Sequence, residues 1–250
     1  GIPFMSMELL KGKPLEARIQ SGERQSIDQV VDYAIEISRG LAAAHARGIV
    51  HRDIKPANIW IEEESGRIKI LDFGLALASA PSDTMTARGA VVGTPGYLSP
   101  EQAQGDPLDD RSDLYSLGVV MYELIAGKVP FEAKTVPELL IRIIAHTPRR
   151  IEELVPELPQ PYADVIMRLL AKEPHDRIPS ASELEQQLFA ARAAVQDQSS
   201  AALRIVTDPV PPNRVAGARS AVAPGSPPPI KKESPVTKIP AKIWVAATAI

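Results

Sequence analysis

The sequence predicts an α+β fold that is mainly helical and carries one short β-hairpin. Two β-rich runs, Ile59-Trp60-Ile61 and Ile68-Lys69-Ile70-Leu71, flank a polar turn from Glu62 to Arg67 that contains Gly66. That is the pattern of two antiparallel strands. One stretch before the hairpin and several after it place apolar residues at helical spacing between capping and stop residues. Composition agrees: 44% hydrophobic and 24% charged residues over a 250-residue chain describe an ordinary soluble domain with enough length for a sizeable core, and exclude disorder throughout. The absence of cysteine rules out a disulfide framework or a thiolate metal site and fits an intracellular protein. A net charge of −3 gives no reason to expect nucleic acid as a partner.

The hairpin organises the chemistry. Asn58 stands just before its first strand and Asp72 just after its second, so pairing the strands brings an amide oxygen and a carboxylate to the same open end. That combination suits a hard cation such as Mg²⁺, which takes few protein ligands and keeps the rest for water and phosphate. Asp53, five residues before Asn58, is placed to address a substrate hydroxyl beside the metal. The stretch reads H-R-D-I-K-P-A-N from His51 to Asn58 and D-F-G from Asp72 to Gly74. It resembles the catalytic and metal-binding loops of the serine/threonine protein kinases, of the bacterial, eukaryotic-like kind. The resemblance implies a protein-kinase-like fold in which this chain is the hinge and the mainly helical large lobe, with the small lobe truncated. It implies ATP and Mg²⁺ as cofactors, Asp53 as the group that orients or deprotonates the attacking hydroxyl, and Lys55 on the transferred phosphate. Asn58 and Asp72 would hold the metal, Phe73 would pack to set the active arrangement, and His51 would be structural, packing with Phe73.

Taken in order, Gly1 to Leu10 reads as an apolar strand running into Lys11-Gly12-Lys13-Pro14, which is not expected to continue it. By resemblance this is the last small-lobe strand and the hinge, 1–10, with Met7 as gatekeeper and the backbone of Glu8 and Leu10 on the adenine edge. Ser26-Ile27-Asp28-Gln29 resembles a capping box, and Ile27, Val30, Val31, Ala34, Ile37 and Leu41 recur at helical spacing before Gly48. His45, near that helix's end, reads as a helix-terminal or packing residue rather than a ligand. Trp60 departs from the family pattern, where a smaller aliphatic side chain lies under the adenine; it narrows the pocket floor or stacks on the base.

Leu75 to Gly93 turns small and polar and matches the position of the activation segment, with Thr84 and Thr86 as candidate phosphorylation sites and Arg52 as the cation to receive such a phosphate. Gly93 to Glu101, GTPGYLSPE, resembles the family's protein-substrate platform, with Ser99 where the family has Ala. There Thr94 would bridge Asp53 and Lys55, and Glu101 would pair with Arg177. Arg111-Ser112-Asp113 opens a run, Leu114 to Ala126, that is apolar almost all round and stopped by Gly127, hence a buried helix. Resemblance gives Asp113 the catalytic-loop backbone to hold. Thr135–His146, Tyr162–Leu170 and Ser180–Ala194 read as three further helices, closing the lobe, 11–194.

Beyond Ala194 nine of the 24 prolines fall in the last 56 residues, and the charge is +4 against −7 for the rest. Residues 195–240 read as a proline-rich basic linker without fixed structure. Lys231, Lys232, Lys238 and Lys242 then precede Ile243 to Ile250, expected to begin a truncated transmembrane helix and to place the lobe on the cytoplasmic face of the cell membrane. With Gly1 at its start and no glycine-rich loop, strand lysine or helix glutamate before the hinge, the chain is expected to be cut from a longer protein and to be inactive alone. Two alternatives stand beside a Ser/Thr kinase acting on protein substrates: a pseudokinase binding module, and a small-molecule phosphotransferase, for which the 93–101 platform has no evident use.

Overall fold

In the computed structural model, residues 8–72 and 95–207 are described. Met7, Phe73, Thr84, Thr86, Thr94 and the tail from 208 lie outside them, and with these the gatekeeper, activation-segment, linker and membrane-anchor expectations. The described elements are β1 (Gly12–Pro14), α1 (Leu15–Gln20), α2 (Ile27–His45), β2 (Ile59–Glu62), β3 (Ile68–Ile70), α3 (Pro100–Gln104), α4 (Asp110–Ala126), α5 (Val136–Ala145), α6 (Gln160–Leu169) and α7 (Ala181–Thr207). A mainly helical α+β lobe is therefore what the chain builds.

The expected hairpin forms, with Ile59 opposite Ile70 and Ile61 opposite Ile68. Its turn closes through Gly66 N to Glu62 O at 3.0 Å, with Gly66 at φ 68°, a region that favours glycine. A third strand joins it. Lys11 to Pro14 was expected to break the strand, but Gly12–Pro14 pairs antiparallel with β2, Gly12 opposite Glu62 and Pro14 opposite Trp60. An edge strand tolerates a proline that donates nothing. Gly12, at φ 140°, is required there, since a Cβ would lie 2.0 Å from Ile61 O.

The helix α2 starts with a reciprocal cap: Ser26 Oγ accepts from Gln29 N and Gln29 Oε1 accepts from Ser26 N, each at 3.2 Å. It buries Val30, Val31, Ala34, Ile37 and Leu41 against α4 and α7. Every residue of α4 from Ser112 to Tyr122 is buried, so this helix is the axis of the lobe, and it ends on Gly127 at φ 72°. Close packing of α6 on α4 depends on Gly118, where a Cβ would come within 2.7 Å of Leu169 Cβ.

One expected boundary moves. The last helix does not stop at Ala194 but runs to Thr207. Ala193 to Thr207 contains no glycine or proline, the next helix breaker being Pro209, so nothing in the local sequence stops the helix, and Val195 still packs against the core beyond Ala194. The opening of the 195–240 segment is thus helical.

Candidate active site

The site is built on the loop between α2 and β2. Asn58 closes a single 3₁₀ turn, Pro56–Asn58, where Asn58 N donates to Lys55 O at 2.9 Å. Its buried side chain folds back: Nδ2 donates to Asp53 O at 2.8 Å and to Asp53 Oδ2 at 2.9 Å. Lys55 Nζ reaches the same carboxylate oxygen at 2.7 Å. Asp53 is thus oriented from two sides while its carboxylate stays about half exposed (53%), open to a reactant.

Across the hairpin, Leu71 N donates to Asn58 O at 2.9 Å, which sets the next residue, Asp72, at the same end as Asn58. Asp72 is exposed and has φ 60°, unusual for a non-glycine residue. His51 Nε2 donates to Leu71 O at 2.7 Å, while His51 Nδ1 accepts from Asp53 N at 3.2 Å, so one ring joins the Asp53 loop to the segment leading into Asp72 and its tautomer is set. Asn58 commits its amide nitrogen to Asp53, so the oxygen Oδ1 is the atom left for a cation. An amide oxygen beside an exposed carboxylate is the hard-oxygen donor set that Mg²⁺ takes.

The loop that carries Asp53 is anchored on α4. Asp113, 1% exposed, accepts from His51 N and Arg52 N, each at 2.8 Å, and meets His45 Nε2 at 2.8 Å. His45 therefore holds the anchor rather than merely filling space. Arg52 has φ 69°, and its exposed guanidinium has no ion pair among the described residues. The start of α3 is anchored too. Arg177, 1% exposed, grips Glu101 through two hydrogen bonds of 2.7 Å and also donates to Ala171 O, Arg111 O and Lys172 O. Ser112 Oγ adds a bond of 2.6 Å to Glu101. Burial raises the Glu101 carboxyl, but the bonds from Arg177 and Ser112 outweigh it and hold it below the usual glutamate range.

Glu8 and Leu10, expected to face adenine, are not in a regular strand. The Glu8 carboxylate is held by Lys69 Nζ at 2.8 Å, and Lys69 also pairs with Glu62 at 2.8 Å, so β3 ties the chain at Glu8 to the hairpin. Trp60 Nε1 donates to Lys11 O at 3.4 Å, which binds the indole edge to the segment leading into β1.

Compared with known proteins, residues 3–190 match the family model described as the protein kinase domain. The chain belongs to the protein kinase family. The chain is 40% identical over 187 residues to a probable serine/threonine-protein kinase of Clostridium acetobutylicum, an alignment covering 75% of this chain and 28% of that protein. It is 38% identical over 194 residues to the serine/threonine-protein kinase Pkn1 of Myxococcus xanthus, covering 76% and 28%. Against the serine/threonine-protein kinase PknB of Mycobacterium leprae it is 34% identical over 211 residues, covering 83% and 33%. The chain thus spans between about a quarter and a third of these relatives' length. The kinase domain of Mycobacterium tuberculosis PknI, a crystal structure, superposes with a TM-score of 0.58 at 24% identity over 74% of this chain and 64% of that one, a likeness of fold.

Within this kinase lobe, sequence reasoning had not found Gln102, whose Nε2 donates to Arg52 O at 2.7 Å, nor Ser112. A signal for Gln102 was present: Ser99-Pro100-Glu101-Gln102 has the S-x-x-Q form of a capping box.

Proposed function

We propose that this chain supplies the catalytic lobe of a serine/threonine protein kinase, transferring the γ-phosphoryl group of ATP to a Ser or Thr hydroxyl of a protein. The observation that carries the reading is the convergence of Lys55 Nζ and Asn58 Nδ2 on one oxygen of Asp53, at 2.7 and 2.9 Å, beside a half-exposed carboxylate. Asp53 orients the hydroxyl and takes its proton as the oxygen attacks the γ-phosphorus and the bond to the β-phosphate oxygen breaks. Lys55 places positive charge next to the transferred group. Asn58 Oδ1 and the Asp72 carboxylate are the residues that would hold Mg²⁺, whose charge offsets that of the phosphates. Positioning and charge neutralisation do most of the work, because the transferred group needs little covalent help from the protein.

The names of the relatives support Ser and Thr as acceptors, and the basic segment Lys231 to Lys242 supports attachment to an anionic membrane at the cytoplasmic face. The test of the reaction is to incubate the full-length protein with labelled ATP, Mg²⁺ and a generic basic protein. Label on phosphoserine or phosphothreonine is expected; label confined to a small molecule, or none at all, overturns the reading.

A further inference from the structure

Gln102 is the third residue of α3, only 9% exposed, and both ends of its amide are used. Oε1 accepts from Ser99 N at 2.9 Å, and Nε2 donates to Arg52 O at 2.7 Å. Because Ser99 N–H can only donate and Arg52 O can only accept, just one orientation of the amide is satisfied. The Arg52 carbonyl belongs to the peptide group that leads directly into Asp53. Arg52 also has a positive φ of 69°, a conformation that an L-residue keeps only when its surroundings impose it. The preceding amides, His51 N and Arg52 N, are taken by Asp113 of α4. The strained turn before Asp53 is therefore held by α4 through its N–H groups and by α3 through its carbonyl, and no other described group donates to Arg52 O.

We propose that Gln102 is a positioning residue for phosphoryl transfer. Through the Arg52 carbonyl it fixes the peptide plane that aims the Asp53 carboxylate, and it couples the catalytic loop to α3, whose neighbouring Glu101 is clamped by Arg177. A shift of α3 would then reach Asp53 without any contact between α3 and the reactants. The inference rests on the phosphotransfer reading above.

Gln102→Glu separates the two jobs of the side chain. A glutamate at this position is an ordinary capping-box residue and still accepts from Ser99 N, but it sets a carboxylate oxygen against Arg52 O where a donor stood. In the full-length protein kcat is expected to fall by on the order of tenfold, as small misplacements remote from the chemistry do. KM for ATP should stay close to wild type, the melting temperature should fall because a buried carboxylate oxygen faces a carbonyl, so kcat is referred to folded protein, and amides of the peptide spanning residues 51–55 should exchange hydrogen faster. Gln102→Met, of similar length and without polar demands, should show the same loss of kcat if the glutamate variant does not fold. Unchanged kcat in the folded variants, alongside an inactive Asp53→Asn control, overturns the inference and leaves the phosphotransfer reading intact. A loss of kcat matched by an equal loss of folded protein assigns Gln102 a structural role only and overturns it as well. If Asp53→Asn itself retains wild-type turnover, the phosphotransfer reading is what fails.

Discussion

Arg177 is the side chain whose loss should cost the fold most. It is buried, forms a bidentate pair with Glu101 and fills three carbonyl acceptors, so removing it strands a buried carboxylate and those carbonyls together. Arg177→Ala should destabilise the lobe by about 3–5 kcal/mol, the range for breaking a buried ion pair by deleting one partner. Arg177→Lys should recover little, since one ammonium cannot reproduce the planar fork. Denaturant unfolding measures both. The same pair sets a pH dependence. The Glu101 carboxyl, raised by burial but lowered further by Arg177 and Ser112, has a folded-state value below its unfolded one. Its contribution is full above the ordinary glutamate range and is lost as pH falls through the depressed value. Acid unfolding should show this loss in the wild type and a flatter profile in Glu101→Gln.

Lys172 has the opposite role. Its ammonium lies 4.0 Å from the centre of the Phe131 ring and donates to Ile143 O, and burial, with the nearby Arg177 charge, pushes it down to about 8. Between about 8 and the ordinary lysine value the unfolded chain binds the proton that the folded one has released, so this group makes stability rise with pH across that window. Stability measured from neutral to alkaline pH should show the rise, and Lys172→Met should remove it.

At the scale of elements, what could be read from the sequence depended on whether one physical cause acted alone. The hairpin and the helices α2, α4, α5 and α6 were legible because period, caps and stops agree: Ser26 and Gln29 form the expected box, and Gly127 ends α4 where the apolar run ends. The strand β1 was not legible, because Gly12 and Pro14 argue against a strand locally and only the free edge of β2 supplies a reason for one. The full length of α7 was hidden by the change of composition after Ala194, which reads as a linker although no helix breaker appears before Pro209. In the site, Asp53, Lys55, Asn58, Asp72 and Asp113 were legible as motif positions. The Gln102 contact with Arg52 and the His45 contact with Asp113 were not, because they reach partners 50 and 68 residues away. The packing of α6 on α4 gives an element-scale test. Gly118→Ala puts a methyl where Leu169 Cβ would be 2.7 Å away, and overpacking of this kind costs about 1–3 kcal/mol. A lowered unfolding midpoint with an unchanged denaturant slope is the expected result.

For the molecule as a whole, the buried helix α4 is the common support. From it Asp113 holds the loop that carries Asp53, Ser112 reaches Glu101, and Leu114, Leu117 and Met121 are fully buried in the core. Membership of the protein kinase family and the convergence on Asp53 lead to one central claim, that Asp53 aligns the attacking hydroxyl and does not itself hold the nucleotide. The direct measurement compares wild type with Asp53→Asn in the full-length protein, following phosphate transfer to a Ser/Thr protein substrate and, separately, Mg²⁺-dependent nucleotide affinity. Turnover should fall by a factor of about 10²–10⁴, the range for a positioned acid–base group, with nucleotide affinity nearly unchanged. Near-normal transfer by Asp53→Asn, or a loss explained by weakened nucleotide binding, would contradict the account.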